Sequence, residues 1–260
     1  MYNPAIKGLI DTHCHLDFPE FDQDRDQLIR ASREQGLEYI INVGSSLQSS
    51  LASLQLAEKY DFIYAAIGIH PHEADGFNQE QLDQVKELSD RDKVVAVGEI
   101  GLDYCKNYSK KDNQLRCFEA LLDLARQKGL PLVIHSRQAH EDTLEVLKRN
   151  LPLKGVLHCF SGDAVSLQKF LELGLFFSFT CNITYKKAQD LREIVKIAPL
   201  ERIFLETDAP YLSPEGLRGR RNEPLNVRFV AAEIAAQKGI SIEEVVKATS
   251  DNAKRFFSLE

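Results

Sequence analysis

Gly129-Leu130-Pro131-Leu132-Val133-Ile134-His135-Ser136-Arg137 carries in miniature the unit from which this chain is built. Upstream of it, Leu115, Phe118, Leu122 and Ala125 follow one another at +3, +4, +3, the apolar stripe of a helix. Gly129 then supplies the left-handed residue that ends such a helix. Leu132, Val133 and Ile134 run on without a polar break, which suits a parallel strand covered on both faces. A histidine follows at once.

The same unit recurs on either side. Val94-Val95-Ala96-Val97 is another unbroken apolar strand, and Leu47, Leu51 and Leu54 give helical spacing. Gly36 and Gly174 close helical stretches as Gly129 does. Strands are predicted to end near Ile10, Asn42, Ile69, Ile100, His135, His158, Phe179 and Glu206. About eight β–α units within 260 residues predict a TIM-like α/β fold, a (β/α)8 barrel, with extra helical residues at the C-terminus over 241–257. No Gly-x-Gly-x-x-Gly follows the first strand, which disfavours an open dinucleotide-binding sheet. Without repeats, linkers or low-complexity stretches, residues 1–260 read as a single barrel domain.

Composition narrows the function classes. A hydrophobic fraction of 43% and a charged fraction of 27% describe a globular chain, neither disordered nor fibrous. No apolar run reaches the ~20 residues of a membrane helix, and no signal peptide is visible at the N-terminus. The five cysteines are odd in number and widely spaced, which points to a reducing compartment and predicts a cytoplasmic protein. A net charge of -7 excludes a protein that coats nucleic acid along a broad basic face, so any contact with phosphates must be local.

Chemistry gathers at the predicted strand ends. Asp11-Thr12-His13-Cys14-His15 places two imidazoles two residues apart, on one side of an extended segment. Glu99 ends the fourth strand, His135 the fifth and His158 the sixth, and Asp208 follows the eighth. On a barrel these ends converge on the catalytic face. That many imidazoles and carboxylates exceed the three protein ligands of a mononuclear catalytic zinc and suit two divalent ions. By position, His13, His15 and Asp208 are expected at one ion, His135 and His158 at the other, with Glu99 as the bridge. Such ions generate hydroxide near neutral pH, and Asp208 is placed to accept a proton from the attacking water. Mixed imidazole and carboxylate ligation leaves zinc, manganese, iron, nickel and magnesium open.

These residues resemble the TatD-type metal-dependent deoxyribonucleases, a branch of the amidohydrolase-like barrels. The resemblance runs from Asp11 to the C-terminus. It includes Gly68-Ile69-His70-Pro71-His72, Gly98-Glu99-Ile100-Gly101-Leu102-Asp103-Tyr104, His135-Ser136-Arg137 and His158-Cys159-Phe160-Ser161-Gly162. Glu206-Thr207-Asp208-Ala209-Pro210-Tyr211-Leu212 and Arg221-Asn222-Glu223-Pro224 complete it. It implies hydrolysis of DNA phosphodiesters with divalent metal, often from the 3′ end, and places the family's ligands on His13, His15, Glu99, His135, His158 and Asp208.

Further residues are read for substrate. His70 and Arg137 are expected to hold phosphate oxygens, Arg137 through two parallel hydrogen bonds. His72 is a weaker candidate for the same role. Asp103 either braces a ligand or caps its loop, and Glu206 either serves a further ion or is an inward carboxylate bonded to its neighbours. Arg218 and Arg221 belong to the densest positive cluster; Arg218 is expected to meet phosphate or solvent, and Arg221 to pair with Glu223 or a strand-end carboxylate. Tyr104, Lys106, Tyr185, Lys186 and Lys187 could border a strand channel. Cys14 and Cys159 are expected to pack away from the site.

The leading expectation is thus a phosphodiesterase acting on single-stranded or terminal DNA with no obligate protein partner. A small-molecule amidohydrolase or esterase with the same centre is the alternative. Many such barrels bridge their metals with a modified lysine at the end of strand four, where this chain has Glu99. A non-catalytic binding barrel with structural metal fits poorly, because structural zinc sites are closed tetrahedra.

Overall fold

The computed structural model describes residues 6–106 and 108–259. Its strands are β1 (Leu9–Cys14), β2 (Leu37–Val43), β3 (Ile63–Ile67), β4 (Val94–Asp103), β5 (Leu132–Arg137), β6 (Gly155–Leu157), β7 (Phe176–Phe179) and β8 (Ile203–Leu205). The helices α1 (Arg25–Glu34), α2 (Leu47–Lys59), α3 (Gln79–Leu88), α4 (Lys111–Lys128), α5 (His140–Arg149), α6 (Ala164–Glu172) and α7 (Gln189–Ile197) each follow the strand of the same number. After β8 come α8 (Val227–Lys238) and α9 (Ile242–Phe257). The sheet order is β1 to β8 in sequence, the order of a (β/α)8 barrel. The chain divides into two compact units, one of residues 1–41 and 178–260, the other of residues 42–177.

In the unit of residues 1–41 and 178–260, the last strand lies beside the first. Thr12 Oγ1 donates to the Leu205 carbonyl at 3.1 Å, and Cys14 bridges to Ala209. Phe204, Phe256 and Phe257 make a buried cluster with ring centroids 4.8–5.7 Å apart, which seats α9 on β8. Each fully buried ring of this kind contributes about 1.5–3 kcal/mol. The start of α9 is fixed by a capping box: Ser241 accepts from the Glu244 N–H, and the Glu244 carboxylate accepts from the Ser241 N–H. Removing such a cap costs about 1 kcal/mol.

In the unit of residues 42–177, β3 to β7 pair in parallel through consecutive neighbours. β4 is buried along its whole length and runs to Asp103, beyond the end near Ile100 that its apolar run predicts. Glycine permits that close approach. Gly101 has φ +135°, and a Cβ there would stand 2.0 Å from the His135 carbonyl oxygen. The helix stop at Gly129 is left-handed, with φ +67°.

The face of α2 differs from the one its leucines predict. Leu51 is 44% exposed, while Ser50 and Ser53 are buried. The serines pair with backbone and Asn42: Ser50 Oγ donates to the Gly68 carbonyl at 3.1 Å, and Asn42 Nδ2 donates to Ser53 Oγ at 2.7 Å. Leucine periodicity placed Leu54 correctly but not Leu51, because the buried face combines Leu54, Leu56 and Ala57 with two hydrogen-bonded serines.

Candidate metal centre

In the first unit, β1 presents His13 and His15 from one side of the strand, both buried. Their Nε2 atoms are 3.3 Å apart. Asp208 Oδ1 stands 3.4 Å from His15 Nε2 and 3.8 Å from His13 Nε2. Ligands of an ion with bonds of ~2.0–2.1 Å sit at tetrahedral edges of ~3.3–3.4 Å. This triangle of two imidazoles and a carboxylate therefore fits a divalent transition metal by its chemistry and its spacing. The Asp208 N–H donates to the His13 carbonyl at 2.9 Å, so the backbone of β1 holds Asp208 in register with the two imidazoles.

Beneath the triangle, Asp11 is fully buried and accepts from the Thr207 N–H at 2.9 Å and the Thr207 hydroxyl at 2.5 Å. Burial pushes its carboxyl well up, against the pull of those hydrogen bonds. Glu206 is buried, and Ser178 Oγ donates to it at 2.6 Å.

In the second unit, Glu99 is the hub. Its Oε1 lies 2.7 Å from His135 Nδ1, 2.7 Å from His158 Nε2 and 3.4 Å from His70 Nε2. His135 Nδ1 and His158 Nε2 are 3.0 Å apart. Three potential ligand atoms thus crowd one point within hydrogen-bond range, a donor set that a cation satisfies.

Tautomers follow from what lies behind each ring. His135 Nε2 is 3.3 Å from Asp103 Oδ2, so that nitrogen keeps its proton, while Nδ1, 2.7 Å from Glu99, is the one that would give up its proton to a bound cation. His70 is the reverse. Its Nδ1 accepts the His72 N–H at 3.1 Å, which leaves Nε2–H as a donor aimed at Glu99. Burial holds the His70 pKa well below the ordinary imidazole value, so this ring is neutral. Burial also pulls His135 down, but the bonds to Asp103 and Glu99 outweigh it and raise its pKa.

Asp103 both braces and caps. Oδ2 meets His135 and, at 3.0 Å, His72 Nε2; Oδ1 accepts the N–H groups of Cys105 and Lys106. Burial works against ionisation there, but the His135 and Cys105 hydrogen bonds prevail and hold the carboxyl far below the usual range.

A family model described as "TatD related DNase" matches residues 10–258. The chain belongs to the TatD-related DNase family. It is 40% identical over 253 residues to the "Uncharacterized metal-dependent hydrolase YabD" of Bacillus subtilis, covering 96% of this chain and 99% of that one. It is 36% identical to the "3'-5' ssDNA/RNA exonuclease TatD" of Erwinia tasmaniensis, covering 96% and 100%. The crystal structure of the TatD homologue YJJV from Escherichia coli K12 superposes with a TM-score of 0.92 at 33% identity, covering 97% of this chain and 99% of that one. The TatD-type barrel assigned from strand ends and motifs is therefore the fold of this protein.

Around the centre of this TatD-family chain the remaining residues divide by what they touch. Arg137 is exposed at the end of β5, opposite Asp103 in the parallel register. Arg218 lies with its guanidinium carbon 4.6 Å from the Tyr185 ring centroid and its Nη1 3.8 Å from Glu215 Oε2. Arg221 pairs with Glu223, as its sequence suggests, and with Asp24, which the sequence does not suggest. It makes two 2.7 Å bonds to Asp24, donates to the Glu20 carbonyl and covers Phe21, with Glu223 at 3.3 Å. Tyr104 donates its hydroxyl to Asp142 at 2.7 Å, and Lys111 sits over its ring, so that face is occupied. Cys14 is buried, with its thiol directed at the Ile41 carbonyl.

Two residues beside the first cluster were given no role in the sequence reading. Asp11 could have been found as the acidic start of the Asp11-Thr12-His13 stretch, since a buried carboxylate needs a partner. Tyr211, half exposed three residues after Asp208, carries no signal in a tally of ligands.

Proposed function

We propose that this chain hydrolyses phosphodiester bonds of single-stranded DNA, and of RNA, from the 3′ end, with two divalent ions per subunit. The observation that carries the reading is the His13–His15–Asp208 triangle, whose edges of 3.3, 3.4 and 3.8 Å match a metal donor set. Family membership supplies the reaction class, and the exonuclease relative supplies the substrate. His13, His15 and Asp208 hold one ion; Glu99, His135 and His158 serve the other, Glu99 being the acidic ligand of its cluster. Bound divalent ions supply hydroxide near neutral pH and neutralise charge on the phosphoryl group.

The protein's own groups do the positioning. His70 donates Nε2–H to a non-bridging phosphate oxygen, a role its tautomer favours over metal ligation. Arg137 offers a planar fork to the same phosphate. Asp103 fixes the His135 ring, and Asp208 accepts the proton of the attacking water. His72 reaches the site through Asp103 and through His70, and Arg221 acts as a clamp rather than a phosphate contact. Among the described residues the five cysteines form no disulfide, which supports a reducing, cytoplasmic setting for one hydrolase domain. Among the described residues no helix is long and apolar enough to cross a membrane.

Asp208→Asn tests the assignment. Single-stranded DNA should still bind while turnover collapses; unchanged turnover would remove Asp208 from its role as proton acceptor.

A further inference from the structure

The segment after β8 is unusually constrained for a loop. Asp208 and Leu212 both adopt left-handed backbone, with φ 56° and 55°, although neither is glycine. Such residues persist only where their surroundings over-determine them. Here the surroundings do so. The His15 N–H donates to the Ala209 carbonyl at 2.8 Å, and the Asn222 N–H to the Pro210 carbonyl at 2.9 Å. Asn222 Nδ2 donates to the Thr207 carbonyl at 3.0 Å, and the Tyr211 N–H to the Asp208 carbonyl at 2.9 Å.

What this fixed segment displays is the ring of Tyr211, 50% exposed. One edge of the ring meets Phe18, with centroids 6.2 Å apart at 74°. Phe18 in turn stacks on His15 at 4.7 Å and 15°. An aromatic ladder thus rises from a proposed metal ligand and ends in a ring half open to water. Leaving so large a ring in solvent forgoes its burial, and the rigid backbone beneath it removes the usual explanation of a mobile loop tip.

We propose that Tyr211 is a stacking platform for the nucleobase beside the scissile phosphate, and so a specificity determinant for base-bearing, unpaired ends. The inference rests on the nuclease reading. An aromatic face accepts any base, because every base has a π-face, and it can do so only once the base has left its duplex neighbours. A ring held on the same segment as Asp208 would receive the base of the very nucleotide whose phosphate Asp208 faces. Pre-organisation of that segment means that little freedom is lost on binding.

The test compares oligonucleotides of one sequence that end 3′ in ordinary nucleotides or carry a stable abasic residue at the terminal or penultimate position. The metal-loaded wild type should prefer the base-bearing end by about 10- to 100-fold in kcat/KM, expressed in KM. Tyr211→Phe and Tyr211→Trp should keep the preference. Tyr211→Leu should lose it to within about twofold, with bound metal and the rate on the abasic end unchanged.

A Tyr211→Leu enzyme that retains the preference would overturn the proposal. So would equal losses on both substrates, which would mean that the ring merely supports His15 through Phe18. A wild type that cleaves DNA without distinguishing the abasic end overturns it even if Tyr211→Leu does not fold. A wild type that cleaves no oligonucleotide overturns the nuclease reading, and this proposal with it.

Discussion

Asp103 and His135 are joined behind the candidate metal centre: Asp103 Oδ2 lies 3.3 Å from His135 Nε2, on the opposite side of the ring from Glu99. The carboxylate fixes both the ring's orientation and its tautomer, and keeps Nδ1 available as a ligand atom. Asp103→Asn should therefore weaken metal binding and lower kcat by about 10- to 100-fold, with the fold intact. Metal titration of the stripped protein, read beside circular dichroism, checks both halves. Full metal affinity in the variant would reduce Asp103 to the cap it also provides for Cys105 and Lys106.

His70 and Glu99 are 3.4 Å apart, yet they should fail differently when removed. His70→Ala removes a donor for phosphate and should lower kcat/KM by about 10- to 100-fold while bound metal stays at the wild-type level. Glu99→Ala removes a ligand and should lower metal content itself. Elemental analysis of both proteins alongside their kinetics separates the roles. A His70→Ala protein that loses metal would make His70 a ligand instead.

Much of this was written plainly in the sequence, for a physical reason. Unbroken apolar runs such as Leu132–Ile134, set just after a helix stop, suit strands covered on both sides, and a histidine or glutamate at the end of such a run stands out against its surroundings. His13, His15, Glu99, His135, His158 and Asp208 were all visible in that way. Residues whose meaning depends on a distant partner were not. Arg221 looked toward Glu223, its neighbour in sequence, and bonds it, but the fold adds two shorter bonds to Asp24. Leu51 looked buried because serines do not count in an apolar pattern, yet hydrogen-bonded Ser50 and Ser53 share the inner face with Leu54, Leu56 and Ala57. Tyr211 gave no sign, since exposure of an aromatic ring is a property of packing.

The Arg221–Asp24 pair should hold the segment after β8 to the approach to α1. The hydrogen bond from Arg221, helped by its charge, keeps the Asp24 carboxyl below its ordinary value. A depressed folded-state pKa contributes stability that is complete above the unfolded value of about 3.9 and lost as pH falls through the folded value. Asp24 is 40% exposed, so solvent screening limits the contribution. Arg221→Met should cost about 1 kcal/mol at neutral pH, a drop of about 2–4 °C in Tm. The deficit should shrink as pH falls below about 4. Thermal melts of both proteins across pH 3–7 measure it, and a deficit that does not depend on pH would assign the loss to packing on Phe21.

The most direct test of the central claim is a divalent-metal series on chelator-stripped protein with single-stranded DNA labelled at the 3′ or the 5′ end, run beside Glu99→Ala and His135→Ala. The account predicts metal-dependent shortening that begins at the 3′ end, with both variants inactive. Intact DNA in the presence of stoichiometrically bound metal would contradict it and direct the same centre to small-molecule esters and amides.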